Sequence, residues 1–365
     1  EIKQMCGRAG RPKYDKYGEA ILVARNEEER SFLFDNYLLG ETEEIFSKLG
    51  SENVLRSHIL ALIATSTTGS RSSLMDFLNS TFFAHQTTML GMEDAVEGVL
   101  EFLRAEEMLR EEDQFKASFF GRRVSDLYID PVSAVKMRDA LRAFRTGMGD
   151  FGFLHAACST PDMLPLYLRR TDNVWLETKV VEKGGELLLP VPADLGEYEF
   201  FLAEVKTACV LDDWLEEMEE DPLLEKYGIG PGDLRSKVEL GEWLLYSMRE
   251  LANIFNKDAY APLTELIVRV RYGVRRELLE LVKLRGVGRA RARSMFDHGL
   301  RTLDDVRAME LGKLARIPKI GDALAKSIKE QVGESPRKSE PKPTEGGKEP
   351  PAEEKGRSQR SLLDF

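Results

Sequence analysis

The chain has 365 residues, 42% of them hydrophobic and 32% charged, so it is long enough for several cores and apolar enough to fill them. It holds no apolar run of the roughly twenty residues that a membrane span needs, and its three cysteines and four histidines are too scattered for a zinc site or a disulfide scaffold. The net charge of −11 excludes a uniformly basic nucleic-acid coat, but the charge is segregated: residues 268–293 hold nine Lys/Arg against two Glu, whereas residues 211–225 hold eight acids and no base.

The chain opens with Gln-Met-Cys-Gly-Arg-Ala-Gly-Arg-Pro at residues 4–12, which places Gln4, Arg8 and Arg11 at i, i+4 and i+7, one face of a short helix. Arginine offers a fixed fork of donors that keeps its charge, which suits the stabilisation of a transferring phosphoryl group. An ordinary ion-paired surface helix has the same spacing. Residues 17–24 (YGEAILVA) then read as a buried strand. The string resembles the sixth motif of superfamily-two helicases, which implies that Arg8, Arg11 and Gln4 face ATP and its Mg2+ held by a preceding lobe. No GxxxxGK[ST] occurs in the chain, so it is expected to lack ATP hydrolysis by itself, and its start at Glu1 inside a motif suggests a carboxy-terminal fragment.

Residues 31–130 alternate amphipathic helical stretches with a hairpin expected over 115–129, the order of a winged helix, with its tip at Phe120-Gly121-Arg122-Arg123. So few bases on its helices fit a packing role better than DNA contact. Residues 131–280 read as a helical bundle. Within it, Pro231-Gly232-Asp233 starts a helix whose Leu234, Val238, Leu245, Met248, Ala252 and Phe255 form one stripe. At 100° per residue Trp243 lies about 180° from Leu234, so its indole is free either to stack on a base or to be buried by another helix.

The strings SDLYIDP (125–131), LHAACSTPDM (154–163), VKTACVLDDWLEE (205–217), KYGIGPGDL (226–234) and GEWLLYSMRELA (241–252) resemble the archaeal Holliday junction migration (Hjm) helicases, relatives of the helicase part of DNA polymerase theta. The resemblance implies a bundle that encircles the translocating strand, with Trp243 stacking on a base from a ratchet helix. Where that family carries an arginine seven residues earlier this chain has Ser236, flanked by Arg235 and Lys237.

Two similar units follow, Leu284 to Ala292 and Leu314 to Ala325, each reading as helix, tight hairpin, helix. Gly286 and Gly288 let the backbone approach a phosphate, and Arg285, Arg289, Arg291 and Arg293 add charge, as in the helix-hairpin-helix module that binds DNA without regard to sequence. Residues 333–358 hold five prolines, four glycines and balanced charge, so they are expected to form a disordered tether. At its end, Gln359, Leu362 and Phe365 resemble the peptide that docks into the sliding clamp PCNA.

The fold expected is mainly α and multidomain: the end of a RecA-like α/β domain at 1–30, a winged helix at 31–130, a helical-bundle ratchet domain at 131–280, a helix-hairpin-helix domain at 281–332, the tether at 333–358 and the clamp peptide at 359–365. The function expected is an archaeal, cytoplasmic and monomeric ATP-dependent helicase moving 3′ to 5′ on single-stranded and forked DNA, with ATP and Mg2+ as cofactors. The competing readings are a non-catalytic module that binds DNA and recruits the clamp, and an RNA helicase of the same superfamily.

Overall fold

The computed structural model describes residues 2–11, 13–41, 44–111 and 113–333. Gln359, Leu362 and Phe365, and all but the first residue of the tether expected at 333–358, lie outside the described residues. The chain divides into two compact units, residues 1–276 and 277 onward. Among the described residues no helix is long and apolar enough to cross a membrane.

The first fifty residues bury almost nothing. A short helix, Ile2–Cys6, is followed by turns, and Gly10 takes φ +81. Residues 17–24 are not the strand expected: Tyr17, Ile21 and Val23 are exposed and the stretch is irregular. A strand takes its backbone hydrogen bonds from a neighbour, and the one sheet among the described residues is the hairpin at 109–117. Asn26 then caps the helix Glu27–Leu33, accepting from the Glu29 amide at 2.8 Å.

The winged helix is built from helices Glu52–Ala64, Arg71–Asn79, Phe82–Gln86 and Met92–Ala105, and a wing of strands Leu109–Glu111 and Phe115–Ala117. Leu55, Ile59, Leu60 and Ile63 of the first helix meet Val96, Val99, Leu100 and Leu103 of the fourth, each set recurring at helical spacing on one face. The strands pair antiparallel with Leu109 opposite Ala117 and Glu111 opposite Phe115. The wing therefore lies earlier than expected, and Phe120 to Arg123 is no hairpin tip but part of a helix, Phe119–Leu127. The reason is local. Ser118 accepts from the Gly121 amide at 3.0 Å, an N-cap that starts a helix there. Gly121 itself serves close packing, since a Cβ at that position would lie 2.1 Å from the Met108 carbonyl oxygen.

Asp130 joins the winged helix to the bundle. It accepts two parallel bonds from Arg56, at 3.1 Å each, and caps the helix Pro131–Ala143 by accepting from the Val132 amide at 2.7 Å. Both charges are buried, and the two parallel bonds give each a partner in the interior. The bundle continues through Phe151–Cys158, Asn173–Lys183, Leu195–Leu215, Glu220–Tyr227, the long helix Pro231–Phe255 and Tyr260–Tyr272. Leu195–Leu215 is apolar on most faces and runs through the centre, with Phe201, Val205, Ala208 and Leu211 almost fully buried.

The second unit holds two consecutive helix-hairpin-helix motifs. In the first, a short helical turn at Leu281–Lys283 leads through a hairpin to Arg289–Asp297; in the second, Leu311–Leu314 leads to Asp322–Val332. Val287, Ala292, Met295, Leu314, Ile317, Ala325 and Ile328 are buried in this unit.

Candidate nucleic-acid interface

The long helix starts at Pro231, where a missing amide donor costs nothing, and Asp233 reaches back to accept from the Gly230 amide at 2.9 Å. Its buried side is broader than the expected stripe. Leu234, Leu245, Met248 and Ala252 are buried as expected, Val238 and Phe255 only partly, and Lys237, Gly241, Leu244, Ser247 and Leu251 are buried too. The helix packs against Pro131–Ala143, Phe151–Cys158, Leu195–Leu215 and Tyr260–Tyr272, so more than one of its faces is covered. Gly241 allows the close approach, with a Cβ there lying 3.1 Å from Leu211 Cδ1.

Trp243 is half-buried: part of its indole packs on the core and part stays accessible. Ser247, one turn on, donates to the Trp243 carbonyl at 3.0 Å. Ser236 is exposed, and Arg235 is exposed but paired with Glu239 at 2.8 Å. Lys237 is turned inward and donates to the Leu164 carbonyl, and burial lowers its pKa. A lysine held in that way braces the segment before Tyr167, so the structure does not bring Lys237 to the surface that Trp243 and Ser236 share. Periodicity could not reveal this, because the aliphatic stem of lysine lets it cross an apolar layer to a distant carbonyl.

At the chain start the helix ends at Cys6, so Gln4 is helical while Arg8 and Arg11 sit in the turns that follow; the single helical face expected for the three does not form. Gly7 and Gly10 are weak helix formers and Gly10 is left-handed, which ends the helix early. Gln4 and Arg8 are exposed, and Arg11 is held by Asp15, which accepts from its amide at 2.8 Å and its Nε at 3.3 Å.

The first hairpin of the second unit turns at Gly286 with φ +82, a conformation that favours glycine, and a Cβ there would lie 2.9 Å from the end of the Leu324 side chain. The matching position of the second hairpin is Lys319, at φ +68. Gly288 and Gly321 precede the two second helices with the same extended φ, −95 and −96, and no side-chain cap. An uncapped helix start is suited to an anion. The arginines differ in their roles. Arg285 is exposed, its backbone clamped by Gln331 at 2.7 and 3.3 Å. Arg291 donates to the Gly286 carbonyl at 2.7 Å and the Lys319 carbonyl at 3.1 Å, which ties one hairpin to the other. Arg293 pairs with Glu277 at 2.8 Å and lies over Phe296, and Arg289 is half-buried beside Gly288. Spacing alone gave all four the same task, because it cannot show which guanidinium folds back on its own backbone.

One buried group escaped the sequence reading. His155 has neither ring nitrogen hydrogen-bonded and lies 3.9 Å from Glu204, which Lys136 approaches at 3.7 Å. Burial, helped by Lys136, pushes His155 down to about 4, and burial pushes Glu204 up to about 7 despite Lys136. Among the described residues no cluster of His, Cys, Asp and Glu could hold a metal ion.

These features meet known families in three places. Residues 151–273 match the model described as archaeal helicase, domain 4; residues 278–334 match a SAM-like helix-hairpin-helix tandem; residues 18–110 match a helix-turn-helix domain. The chain is thus an assembly of a winged helix, an archaeal helicase domain 4 and a helix-hairpin-helix tandem. Over nearly its whole length it is similar to proteins named ATP-dependent DNA helicase Hel308. It is 42% identical to that of Methanocella arvoryzae, covering 96% of this chain and 48% of that protein. With that of Thermococcus kodakarensis the identity is 40%, covering 100% of this chain and 32% of the relative, and with that of Pyrococcus horikoshii 37%, covering 91% and 47%. The chain spans about half the length, or less, of the curated relatives it matches.

Proposed function

We propose that this chain is the DNA-tracking part of an ATP-driven helicase of the Hel308 and Holliday junction migration type, akin to the helicase part of DNA polymerase theta, which moves 3′ to 5′ on forked and recombination DNA. The observation that carries the reading is Trp243: a half-exposed indole on the longest helix of the bundle, inside the segment that matches helicase domain 4. A stacked indole holds any base, so it grips a strand without reading sequence and suits a motor that must pass over every sequence. Ser236 and Arg235 border the same track. The helix-hairpin-helix unit holds DNA through backbone amides and through Arg285 and Arg289, with Arg291 tying the two hairpins together and Arg293 paired with Glu277.

ATP and Mg2+ are held by a lobe outside this chain. Gln4, Arg8 and Arg11 report on the γ-phosphate from the exposed start of the chain, and the chain alone does not turn over ATP. The protein works as a monomer in the archaeal cytoplasm, close to the nucleoid. Gln359, Leu362 and Phe365 recur at i, i+3 and i+6, the spacing by which such a peptide would dock on PCNA. A peptide of residues 357–365 should bind the archaeal clamp at micromolar or weaker affinity. Loss of that binding in its Leu362→Ala, Phe365→Ala form checks the contact.

The test of the function is unwinding of matched DNA and RNA forks by the longer protein that carries both halves. ATP-dependent opening of the DNA fork, with little opening of the RNA fork, is expected; equal opening of both would favour an RNA helicase, and no opening of either would favour a non-catalytic DNA-binding module.

A further inference from the structure

The helix Phe119–Leu127 meets the end of the long helix at right-angled rings, Phe120 against Phe255 with centroids 4.9 Å apart. Arg123 pairs with Glu250 beside them, and Arg249 holds the same carboxylate at 2.7 Å. Against this braced seam lies an open concavity of about 370 Å³, with Phe119, Arg122, Asp126, Asn253 and Ile254 in its walls beside the Arg123–Glu250 pair. Folding leaves two of these side chains unexplained. Phe119 is 76% exposed while its neighbour Phe120 is 6% exposed, so a phenyl face stays in water where burial would be favourable. Arg122 is exposed and has no ion pair among the described residues, although Arg123 next to it is committed to Glu250.

The place of the concavity says what fits it. Around the long helix, Glu250 and Ile254 lie within about 20° of Trp243, and Ile254 is about 16 Å further along. The concavity therefore continues the face on which Trp243 is accessible. We propose that it is a second subsite for single-stranded DNA, with Phe119 stacking on a base and Arg122 holding a phosphate. The proposal rests on the reading of Trp243 as a strand contact and extends that track onto the winged-helix side. An aromatic face accepts any base, and a guanidinium fork matches phosphate oxygens. A peptide helix would need an apolar floor, whereas the walls offer two apolar residues among charged and amide ones.

The experiment uses the full 365-residue chain and a twelve-residue oligothymidylate carrying iodouracil. Photo-crosslinks should map to the peptide containing Phe119. Phe119→Ala should weaken binding roughly five-fold or more, and Arg122→Gln should flatten the dependence of log affinity on log salt by about 0.7. Both side chains are exposed, so melting should not change. Wild-type affinity and slope in both variants, without crosslinks at Phe119, would overturn the proposal, as would an affinity loss matched by lost melting temperature. Trp243→Ala separates the two readings. If it weakens binding and Phe119→Ala does not, the second subsite falls and the Trp243 track stands; if Phe119→Ala weakens binding and Trp243→Ala does not, the subsite stands and the Trp243 reading falls.

Discussion

Residues 20–24, Ala-Ile-Leu-Val-Ala, are as apolar as any part of Leu195–Leu215, yet Ile21 and Val23 are 78% and 85% exposed while Phe201 and Val205 are 2% and 1% exposed. The difference lies in what each kind of segment needs from its surroundings. A helix satisfies its own backbone and needs only surfaces to pack on, which the neighbouring helices of the bundle supply. A strand needs a neighbour for its backbone as well as for its side chains, and residues 17–24 have none among the described residues. Apolar pattern therefore reports a tendency to be buried, and the fold decides whether it is realised.

The contrast can be broken or sharpened by substitution. The largest effect is expected at the exposed start of the chain and on activity alone: in the longer protein Arg8→Ala should cut DNA-stimulated ATP turnover by roughly a thousand-fold or more. Its melting temperature should hold, since Arg8 is exposed and packs in no core. Normal turnover would remove Arg8 from the nucleotide site. In the bundle the effect should fall on stability instead. Phe201→Ala opens a cavity in the centre and should cost about 3–5 kcal/mol in denaturant unfolding; a cost below about 1 kcal/mol would mean that this helix is not the core the burial indicates.

A smaller effect depends on pH. The fold favours the protonated form of Glu204, so the stability linked to it is complete below its ordinary 4.5 and is lost as pH rises through about 7. His155 works the other way: its neutral form is favoured, so its share is complete above 6.5 and is lost as pH falls through about 4. Glu204→Gln removes only the first. The variant should be more stable than wild type at pH 8, by on the order of 1–3 kcal/mol, with the gain shrinking toward pH 5, as thermal melts across that range would show. A gain that did not vary with pH would point to packing and not to the buried charge. The smallest effect returns to the start of the chain: Ile21→Ala should shift the unfolding midpoint by less than about 0.5 kcal/mol, and a larger shift would show that the stretch is anchored after all.

Helical periodicity made the mainly helical fold and its main parts legible, since helices such as Glu52–Ala64 and Met92–Ala105 keep their apolar residues on a defined side, while Leu195–Leu215, apolar on most faces, reads as a central helix. The tandem hairpins were legible because a glycine precedes each second helix at the same offset, Gly288 in the first and Gly321 in the second. Much of what escaped depended on contacts between distant residues. The wing was misplaced in part because Gly121 is pressed against Met108, thirteen residues earlier, a contact that a local pattern does not contain; the Ser118 cap that starts the helix Phe119–Leu127 is itself local and was overlooked beside the hairpin reading. Among the site residues, Trp243, Arg235, Ser236 and Arg285 lie at the surface or partly so, whereas Lys237 and Arg291 spend their charge on carbonyls of the protein itself. No spacing rule distinguishes a cation that reaches outward from one that folds back.

The account turns on Trp243 as the grip on the strand. The most direct test compares Trp243→Ala with wild type in the longer protein, measuring fork unwinding per folded molecule beside thermal stability. A loss of unwinding of roughly ten-fold with a nearly unchanged melting temperature is the result expected from a lost stacking contact. Unchanged unwinding together with a large fall in melting temperature would show that the indole is part of the core, and the tracking face would have to be sought elsewhere on the bundle.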